Sequence, residues 1–290
     1  MDRSAVVQAV VRWYDRAGRD LPWRAPGTTA WGVMVSEFML QQTPVARVVE
    51  PWQAWLRRWP TPTGLAAEAA GEAVRAWGRL GYPRRALRLH AAARVIVADH
   101  GGQVPDDHAA LLALPGVGSY TAAAIASFAY GQRHVVLDTN VRRVLTRLED
   151  GQAQAPVSMT RAEVDRATAW LPRTRTRAAK WAVASMELGA LVCTARAPGC
   201  ERCPVSRSCS WHSAGRPAND GPPRRGQAYE GTDRQCRGVL LAQLRATSDA
   251  VPTATLLAGW PDPAQAARAL AGLLADGLAV RDDDRVALPR

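Results

Sequence analysis

Four of the five cysteines lie close together, at Cys193, Cys200, Cys203 and Cys209. Their spacing is C-x6-C-x2-C-x5-C. Four thiolates on one compact loop can each bind one iron of a [4Fe-4S] cluster. Structural zinc more often uses two C-x2-C pairs, and only one such pair is present. The spacing therefore predicts an iron–sulfur cluster in a reducing compartment, with zinc or uncoordinated thiols as the alternatives.

Two acidic residues, Glu37 and Asp138, have sequence surroundings that suit acid–base chemistry. Glu37 has apolar residues on nearly every side of its predicted helix, so its pKa is expected to be raised and it can stay protonated as a general acid. A salt bridge to one of the many arginines is the alternative. Asp138 directly precedes another predicted helix, where an N-cap is the ordinary role of Asp. A protonated and an ionised carboxyl group together could provide general acid catalysis and electrostatic stabilisation.

A glycine turn, Gly116-Val-Gly118, connects two predicted helices. Glycines let the backbone approach a phosphate, and the N-terminus of the following helix directs N–H groups and positive dipole at it. Such a hairpin binds a DNA strand without reading its sequence. A plain αα-hairpin with no ligand is the alternative.

Charge points to a polyanionic partner. The 290 residues carry a formal net charge of +11, and Lys180 is the only lysine among the 37 basic residues. A charge of this size favours nucleic acid or an acidic membrane surface. No apolar run approaches the roughly eighteen residues of a membrane span, so no membrane or export segment is expected.

The apolar pattern predicts a mainly α protein with a small C-terminal module that resembles a winged helix. A stretch rich in Gly, Pro and Arg before this module reads as a linker. The predicted helices are 31–42, 45–59, 63–80, 84–100, 107–114, 120–130, 141–148, 161–170, 178–192, 234–246, 253–258 and 262–275, and the predicted strands are 278–280 and 285–288.

Five motifs together carry a resemblance to a known family. They are Val35-Ser-Glu-Phe-Met-Leu-Gln-Gln-Thr43, Gly78-Arg-Leu-Gly-Tyr82, Leu114-Pro-Gly-Val-Gly118, Leu137-Asp-Thr-Asn-Val-Arg-Arg143 and the four-cysteine loop. From about Arg19 to Cys209 the chain resembles the MutY-type adenine DNA glycosylases of the helix-hairpin-helix, iron–sulfur superfamily. The resemblance implies a DNA repair glycosylase that hydrolyses the N-glycosidic bond of adenine mispaired with 8-oxoguanine or guanine, and a [4Fe-4S] cluster as its cofactor.

The resemblance also implies roles for individual residues. Asp138 corresponds to the catalytic aspartate, Glu37 to the acid, and Asn140 to a residue near the adenine pocket. Tyr120 occupies the position at which glycosylase-lyases of this superfamily carry Lys, so a monofunctional glycosylase is expected. The residues expected to bind the base or the duplex are Trp23, Arg24, Gln41, Gln42, Tyr82, Gly116, Gly118 and Ser119. Of these, Gln42 and Tyr82 are expected to enter the duplex where the flipped base has left.

A division into domains follows from the same resemblance. We expect a six-helix barrel domain with the helix-hairpin-helix at 27–132, an iron–sulfur domain formed by 1–26 with 133–212, a linker at 213–233 and the winged-helix-like module at 234–290. The expected partner is double-stranded DNA containing a mispaired adenine. The protein is expected to be a cytoplasmic, DNA-associated monomer with no membrane contact.

The chain departs from the family's pattern in one respect. Family members commonly carry a C-terminal domain with a Phe-Ser-His loop that touches 8-oxoguanine, whereas the only phenylalanines here are Phe38 and Phe128. We therefore expect a smaller preference for 8-oxoguanine over guanine opposite adenine. Two alternatives stay open: a mismatch glycosylase acting on thymine or uracil opposite guanine, and a non-catalytic iron–sulfur DNA-binding protein.

Overall fold

The protein is mainly helical, as expected from the sequence. The computed structural model describes residues 1–218 and 229–290, so part of the expected linker, 219–228, lies outside the described residues. The helices are α1 (Arg3–Ala17), α2 (Ala30–Leu40), α3 (Val49–Arg58), α4 (Pro62–Ala66), α5 (Ala70–Trp77), α6 (Arg84–Asp99), α7 (His108–Ala113), α8 (Ser119–Tyr130), α9 (Thr139–Leu145), α10 (Arg161–Trp170), α11 (Arg175–Leu191), α12 (Ser210–Ser213), α13 (Asp233–Arg245), α14 (Thr253–Leu257) and α15 (Pro263–Ala275). None of them, within the described residues, is both long and apolar enough to cross a membrane.

The described residues form two compact units. The first comprises Met1–Val33, Asp106–Leu112 and residues 117–218, and the second comprises Met34–Pro105, Ala113–Gly116 and residues 229–290. The domain boundaries expected from the sequence stay a prediction.

The core of the first unit is built on α1, which packs against α11. Val6, Val7 and Val10 lie on one face of α1 and are buried with Trp181 of α11. Asp2 begins the helix, since its carboxylate accepts hydrogen bonds from the first free N–H groups of α1. The sequence analysis did not predict this helix, because Gln8 and Arg12 interrupt its apolar run.

The second unit has a tryptophan core. The rings of Trp55 and Trp59 meet edge to face at 4.6 Å, and those of Trp55 and Trp77 at 5.6 Å. The single helix predicted at 63–80 is wrong, because the chain forms α4 and α5 with a break between them. At the break, buried His90 forms a hydrogen bond of 2.9 Å with the backbone oxygen of Glu68. A contact from α6 therefore interrupts a segment whose local sequence favours a continuous helix.

The C-terminal module contains α13, α14 and α15 and a three-stranded antiparallel sheet. Its strands are β1 (Val251–Pro252), β2 (Val280–Asp282) and β3 (Arg285–Ala287), in the order β1-β3-β2. Val286 of β3 pairs with Val251 on one side and with Arg281 on the other. The three helices and the terminal hairpin agree with the sequence prediction, whereas β1 was not predicted and β2 begins two residues later than expected.

The module contacts α5 through hydrogen bonds to the backbone of that helix. The amide of Gly71 donates a hydrogen bond of 2.7 Å to the carbonyl of Pro289, and Arg245 Nε donates one of 3.0 Å to the carbonyl of Val74. Burial lowers the pKa of Arg245 to about 10. Because Arg245 satisfies a carbonyl near the C-terminal end of α5, the module closes a helix end that would otherwise need water.

We predict that Gly71→Ala lowers the free energy of unfolding by about 1–3 kcal/mol, the usual range for overpacking. A Cβ at Gly71 would lie 2.5 Å from the carbonyl oxygen of Pro289 and 2.8 Å from Leu288 Cβ. Urea unfolding measures the effect. Gly64→Ala is the matched control, since a Cβ on this helical glycine meets nothing closer than 3.7 Å. Equal stability of the two variants would contradict the docking of the module on α5.

Candidate functional site

Asp138 is held by two neutral donors at the start of α9. Its Oδ1 accepts a hydrogen bond of 2.7 Å from the amide of Val141, and its Oδ2 accepts one of 2.8 Å from Asn140 Nδ2. Asp138 is thus the N-cap that the sequence suggested. Burial raises its pKa, although these hydrogen bonds and the nearby charge of Arg143 oppose the rise. The capping hydrogen bonds therefore hold the carboxylate in place. Among the described contacts, no direct ion pair neutralises its charge.

A chain of hydrogen bonds runs from Asp138 to the cysteine loop. Asn140 donates to Asp138, and its Oδ1 accepts a bond of 2.7 Å from Arg143 Nη2. Arg143 also donates to the carbonyls of Gly189 and Cys193, each at 2.7 Å. These bonds fix the amide of Asn140 so that its N–H group faces Asp138. The conformation of the loop that begins at Cys193 therefore supports the position of the Asp138 carboxylate.

Glu37 lies in a different setting within the second unit. It is 5% exposed, and α2 is buried on all its faces from Trp31 to Met39. Glu37 is the only ionisable residue of this helix. Phe38 and Met34 next to it are fully buried. The burial agrees with the apolar environment that the sequence predicted for this carboxyl group.

Trp23 and Arg24 form a short 3-10 turn of the first unit, and Trp23 is buried. Arg24 Nη2 donates a hydrogen bond of 3.0 Å to Glu187, whereas its Nη1 is buried with no hydrogen-bond partner. Arg19 also binds Glu187, through Nε at 2.6 Å and Nη2 at 2.8 Å. Glu187 thus fixes Arg24, whose second nitrogen remains able to donate to a ligand.

Arg19 and Glu187 were not predicted from the sequence as site residues. Glu187 is completely buried, and it is the only acidic residue of α11. A lone carboxylate in an apolar stretch, here Trp181 to Val192, was the same signal that identified Glu37, so the residue was detectable. Burial alone would raise the pKa of Glu187, but the hydrogen bonds from Arg19 and the charge of Arg24 lower it to about 2.

The helix-hairpin-helix glycines serve different purposes. Gly116 has φ of +80°, and a Cβ there would lie 2.7 Å from Arg88 Cβ, so both its backbone conformation and its surroundings require glycine. Gly118 caps α8 without a positive φ, and a Cβ there would meet nothing within 4 Å. The open space at Gly118, beside the amides of Ser119 and Tyr120 at the start of α8, suits the approach of a phosphate.

Four more residues were expected from the sequence to belong to the site: Tyr120, Gln41, Gln42 and Tyr82. Tyr120 packs against a cluster that contains Ala123 and Val136 of the first unit. In the second unit, Gln41 is half-buried, Gln42 is exposed and Tyr82 is 51% exposed. Gln42 and Tyr82 are exposed as residues that enter a duplex must be.

The four cysteines of the loop line one cavity that is partly open to solvent. Arg147, Trp211 and His212 also line it. Arg147 is 2% exposed, and its Nη1 donates to Cys193 Sγ at 3.4 Å. Burial raises the pKa of Cys203 to about 11 and also raises that of Cys209, with the neighbouring cysteines adding to both shifts. Four thiolates could therefore be held here only with a strongly positive group among them.

Comparison with known proteins identifies the family. Residues 35–169 match the model of the HhH-GPD superfamily base excision DNA repair proteins. The adenine DNA glycosylase of Mycobacterium tuberculosis (strain CDC 1551 / Oshkosh) is 56% identical over 283 residues, which cover 97% of this chain and 92% of that protein. The adenine DNA glycosylase of Mycolicibacterium smegmatis is 54% identical, with 95% of this chain and 92% of that protein covered. The chain therefore belongs to the HhH-GPD superfamily and, within it, to the adenine DNA glycosylase family.

A solved structure agrees with the fold. The structure of a thermostable thymine-DNA glycosylase matches with a TM-score of 0.66 and 27% identity, covering 73% of this chain and 97% of that one. The mainly α glycosylase fold predicted from the motifs is thereby confirmed.

We predict that Glu187→Gln destabilises the protein at pH 7 by about 3–5 kcal/mol, because it leaves two partly buried arginines without their counter-charge. Because the pKa of Glu187 is lowered, its ionised carboxylate stabilises the fold at pH values above the usual pKa of glutamate. This contribution to the free energy of unfolding is lost as the pH falls towards 2. Urea unfolding between pH 3 and pH 7 measures the difference between the variant and the unmodified protein.

The control is Glu201→Gln, since Glu201 is 75% exposed and pairs with Arg216 at 3.6 Å. Its effect should stay small at every pH, as for exposed ion pairs in general. A difference for Glu187→Gln that does not shrink in acid would contradict the assignment of Glu187 as a buried, ionised partner of the two arginines.

Proposed function

We propose that this protein hydrolyses the N-glycosidic bond of adenine mispaired with 8-oxoguanine or guanine in double-stranded DNA. The observation that carries the proposal is identity above 50% across nearly the whole chain to relatives named adenine DNA glycosylase. The buried Glu37 and the fixed Asp138 supply two carboxyl groups in unlike surroundings, which supports it.

In the proposed mechanism Glu37, carrying a proton, donates it to a ring nitrogen of adenine and makes the base a better leaving group. Cleavage leaves positive charge on the sugar. Asp138, ionised, stabilises that charge electrostatically or as a transient covalent partner before water completes the hydrolysis. Asn140 holds Asp138 in place through the hydrogen bond between Nδ2 and Oδ2.

The adenine must leave the helix before this chemistry. We propose that Tyr82 and Gln42 fill the vacated position in the duplex, and that Trp23 and Arg24 contribute to the pocket for the flipped base. Gln41 lies beside Gln42 and is assigned to the same DNA-contacting turn. The amides at Gly116, Gly118 and Ser119 are proposed to bind phosphate without reading sequence.

A monofunctional reaction fits the placement of the only lysine. Position 120 is Tyr, and Lys180 Nζ forms an ion pair of 2.5 Å with Asp15 and lies 5.0 Å from the centre of the Tyr14 ring. Formation of a Schiff base needs an amine at the sugar, and in this proposal no lysine supplies one. We further propose that the protein acts as a cytoplasmic monomer on chromosomal DNA.

The cysteine cavity fits an iron–sulfur cluster. We propose that Cys193, Cys200, Cys203 and Cys209 hold a [4Fe-4S] cluster, whose irons would bind the four thiolates and stabilise the loop around them. Within the described residues, no three His, Cys, Asp or Glu side chains are placed to hold a single metal ion. Thiolates of a cubane bind separate irons and need not converge on one point, so this arrangement favours the cluster over zinc.

We predict that the purified protein is brown and contains about four irons per chain, as a single cubane requires. Iron, zinc and acid-labile sulfide are measured together. The control is Cys236→Ser, because Cys236 is buried in the C-terminal module and does not line the cavity. Cys203→Ser should lose iron, whereas Cys236→Ser should retain it. Stoichiometric zinc in colourless protein would contradict the proposed cofactor.

The substrate is tested by single-turnover base release on duplexes with adenine opposite 8-oxoguanine, adenine opposite guanine, and thymine or uracil opposite guanine. We expect release of adenine only, with a modest preference for the 8-oxoguanine duplex. A well-placed hydrogen bond to a base contributes about 1–3 kcal/mol of discrimination, so a single such contact to 8-oxoguanine would account for a preference of roughly five- to a hundredfold.

The Asp138→Asn variant is the control for this experiment. Asn is also a good N-cap, so the variant should fold and bind the duplex while its base release falls by several orders of magnitude. Release of thymine or uracil would favour the mismatch glycosylase instead. Tight binding without release of any base would favour a non-catalytic DNA-binding protein.

A further inference from the structure

A buried arginine that the proposed mechanism does not use connects two turns of the second unit. Arg85 on α6 is 5% exposed. Its Nη1 donates hydrogen bonds to three carbonyls at the end of α2: Phe38 at 2.8 Å, Met39 at 2.9 Å and Gln41 at 2.6 Å. These carbonyls lack partners within the helix, and a cation at a helix C-terminus is also favoured by the helix dipole.

The other arm of the same guanidinium binds the turn between α5 and α6. Arg85 Nη2 donates to the carbonyl of Gly81 at 3.0 Å and to Thr43 Oγ1 at 2.9 Å. Thr43 Oγ1 in turn lies 3.3 Å from the carbonyl of Leu80, to which it donates. The turn at residues 41–43 and the turn at residues 80–82 are therefore held together by one side chain and one hydroxyl group.

Each of the two turns contains a non-glycine residue with a left-handed backbone. Gln42 has φ of +56° and Tyr82 has φ of +45°. Such a conformation costs of order 1 kcal/mol or more for an ordinary residue, and it persists only where the surroundings impose it. Both side chains are exposed. The turns therefore keep a strained backbone while presenting two side chains to solvent.

Arg85 has a geometry that lysine cannot reproduce. Its planar fork directs several N–H groups at fixed angles, whereas an ammonium group has three donors on one atom. The guanidinium carbon also lies 5.6 Å from the centre of the Tyr82 ring and 5.1 Å from that of Trp77. Burial lowers the pKa of Arg85 to about 10, so the side chain remains a cation at neutral pH.

We propose that Arg85 is a positioning residue for DNA entry: it fixes the Gln42 and Tyr82 turns in the strained conformation that presents both side chains to the duplex. This inference rests on the proposed function, since it takes Gln42 and Tyr82 as the residues that enter the vacated site. In this proposal Arg85 acts through the two turns and does not touch the base or the sugar.

The first test compares Arg85→Lys with Arg94→Lys. Arg94 is exposed on the same helix, and the described contacts include none that join it to either turn. We expect the single-turnover rate of adenine release to fall about 10- to 100-fold in Arg85→Lys, the range of coupling within one hydrogen-bonded network, and to stay unchanged in Arg94→Lys. Equal rates in the two variants would overturn the proposal.

A double-mutant cycle with Tyr82→Ala separates positioning from a general loss of stability. Because Arg85 positions Tyr82 as well as Gln42, Arg85→Lys should lower the rate by a smaller factor in the Tyr82→Ala background than in the unmodified protein. Fully additive effects would show that Arg85 supports only the fold and would overturn the proposal. Thr43→Val can replace Arg85→Lys in a second cycle with Tyr82→Ala. It removes the bridging hydroxyl group and leaves the buried cation in place.

The same cycle can be measured without base release. The affinity of each variant is determined for a duplex that carries a stable abasic-site analogue. Coupling between Arg85 and Tyr82 in this affinity supports the positioning role even if the protein releases no adenine. Failure of adenine release by the unmodified protein would contradict the proposed function, whereas loss of coupling in both measurements would contradict the role of Arg85 alone.

Discussion

The cost of burying a carboxylate is the constraint on which the candidate site depends. Glu187 is completely buried, and it stays ionised because two arginines surround it. Asp138 accepts hydrogen bonds from neutral N–H groups, which hold its position but offset only part of the desolvation. Glu37 is buried in α2, a helix whose other residues are uncharged. The three carboxyl groups therefore lie in three different surroundings.

Arginine makes many of the long-range connections of this protein. Arg85 binds carbonyls of two turns, Arg143 binds carbonyls near the cysteine loop, and Arg245 binds a carbonyl of α5. A guanidinium group directs up to five donors in one plane, so one side chain can satisfy backbone groups from several segments. The sequence contains 37 Lys and Arg residues of which only Lys180 is lysine. Its basic composition thus serves the internal structure as well as any contact with phosphate.

Much of the fold was predictable because its signals are local. Helix α10 begins and ends where the sequence predicted, since Thr160 and Glu163 form a capping box that is visible in the sequence. The cysteine loop and the turn at Gly116 were likewise identified from spacing. The break between α4 and α5 was not, because it depends on His90, which lies more than twenty residues further along the chain.

The candidate site was predictable to the extent that its residues stand out in sequence. Glu37 did so as a single carboxylate in an apolar helix, and Glu187, in the apolar C-terminal part of α11, gave a similar signal without being recognised. Arg85 gave no signal, because one arginine among many reveals its role only through the carbonyls that it binds. Its contacts join segments more than forty residues apart in the chain, and local patterns do not contain such information.

In the proposed mechanism adenine release needs one protonated and one ionised carboxyl group. The most direct test is the pH dependence of single-turnover release for the unmodified protein and for Glu37→Gln. Because burial raises the pKa of Asp138, the rate should begin to fall in acid at a higher pH than for an exposed aspartate. It should also fall in base as Glu37 loses its proton, and Glu37→Gln should abolish this basic limb along with most of the activity. A Glu37→Gln variant with a near-normal rate and the same two limbs would contradict the account.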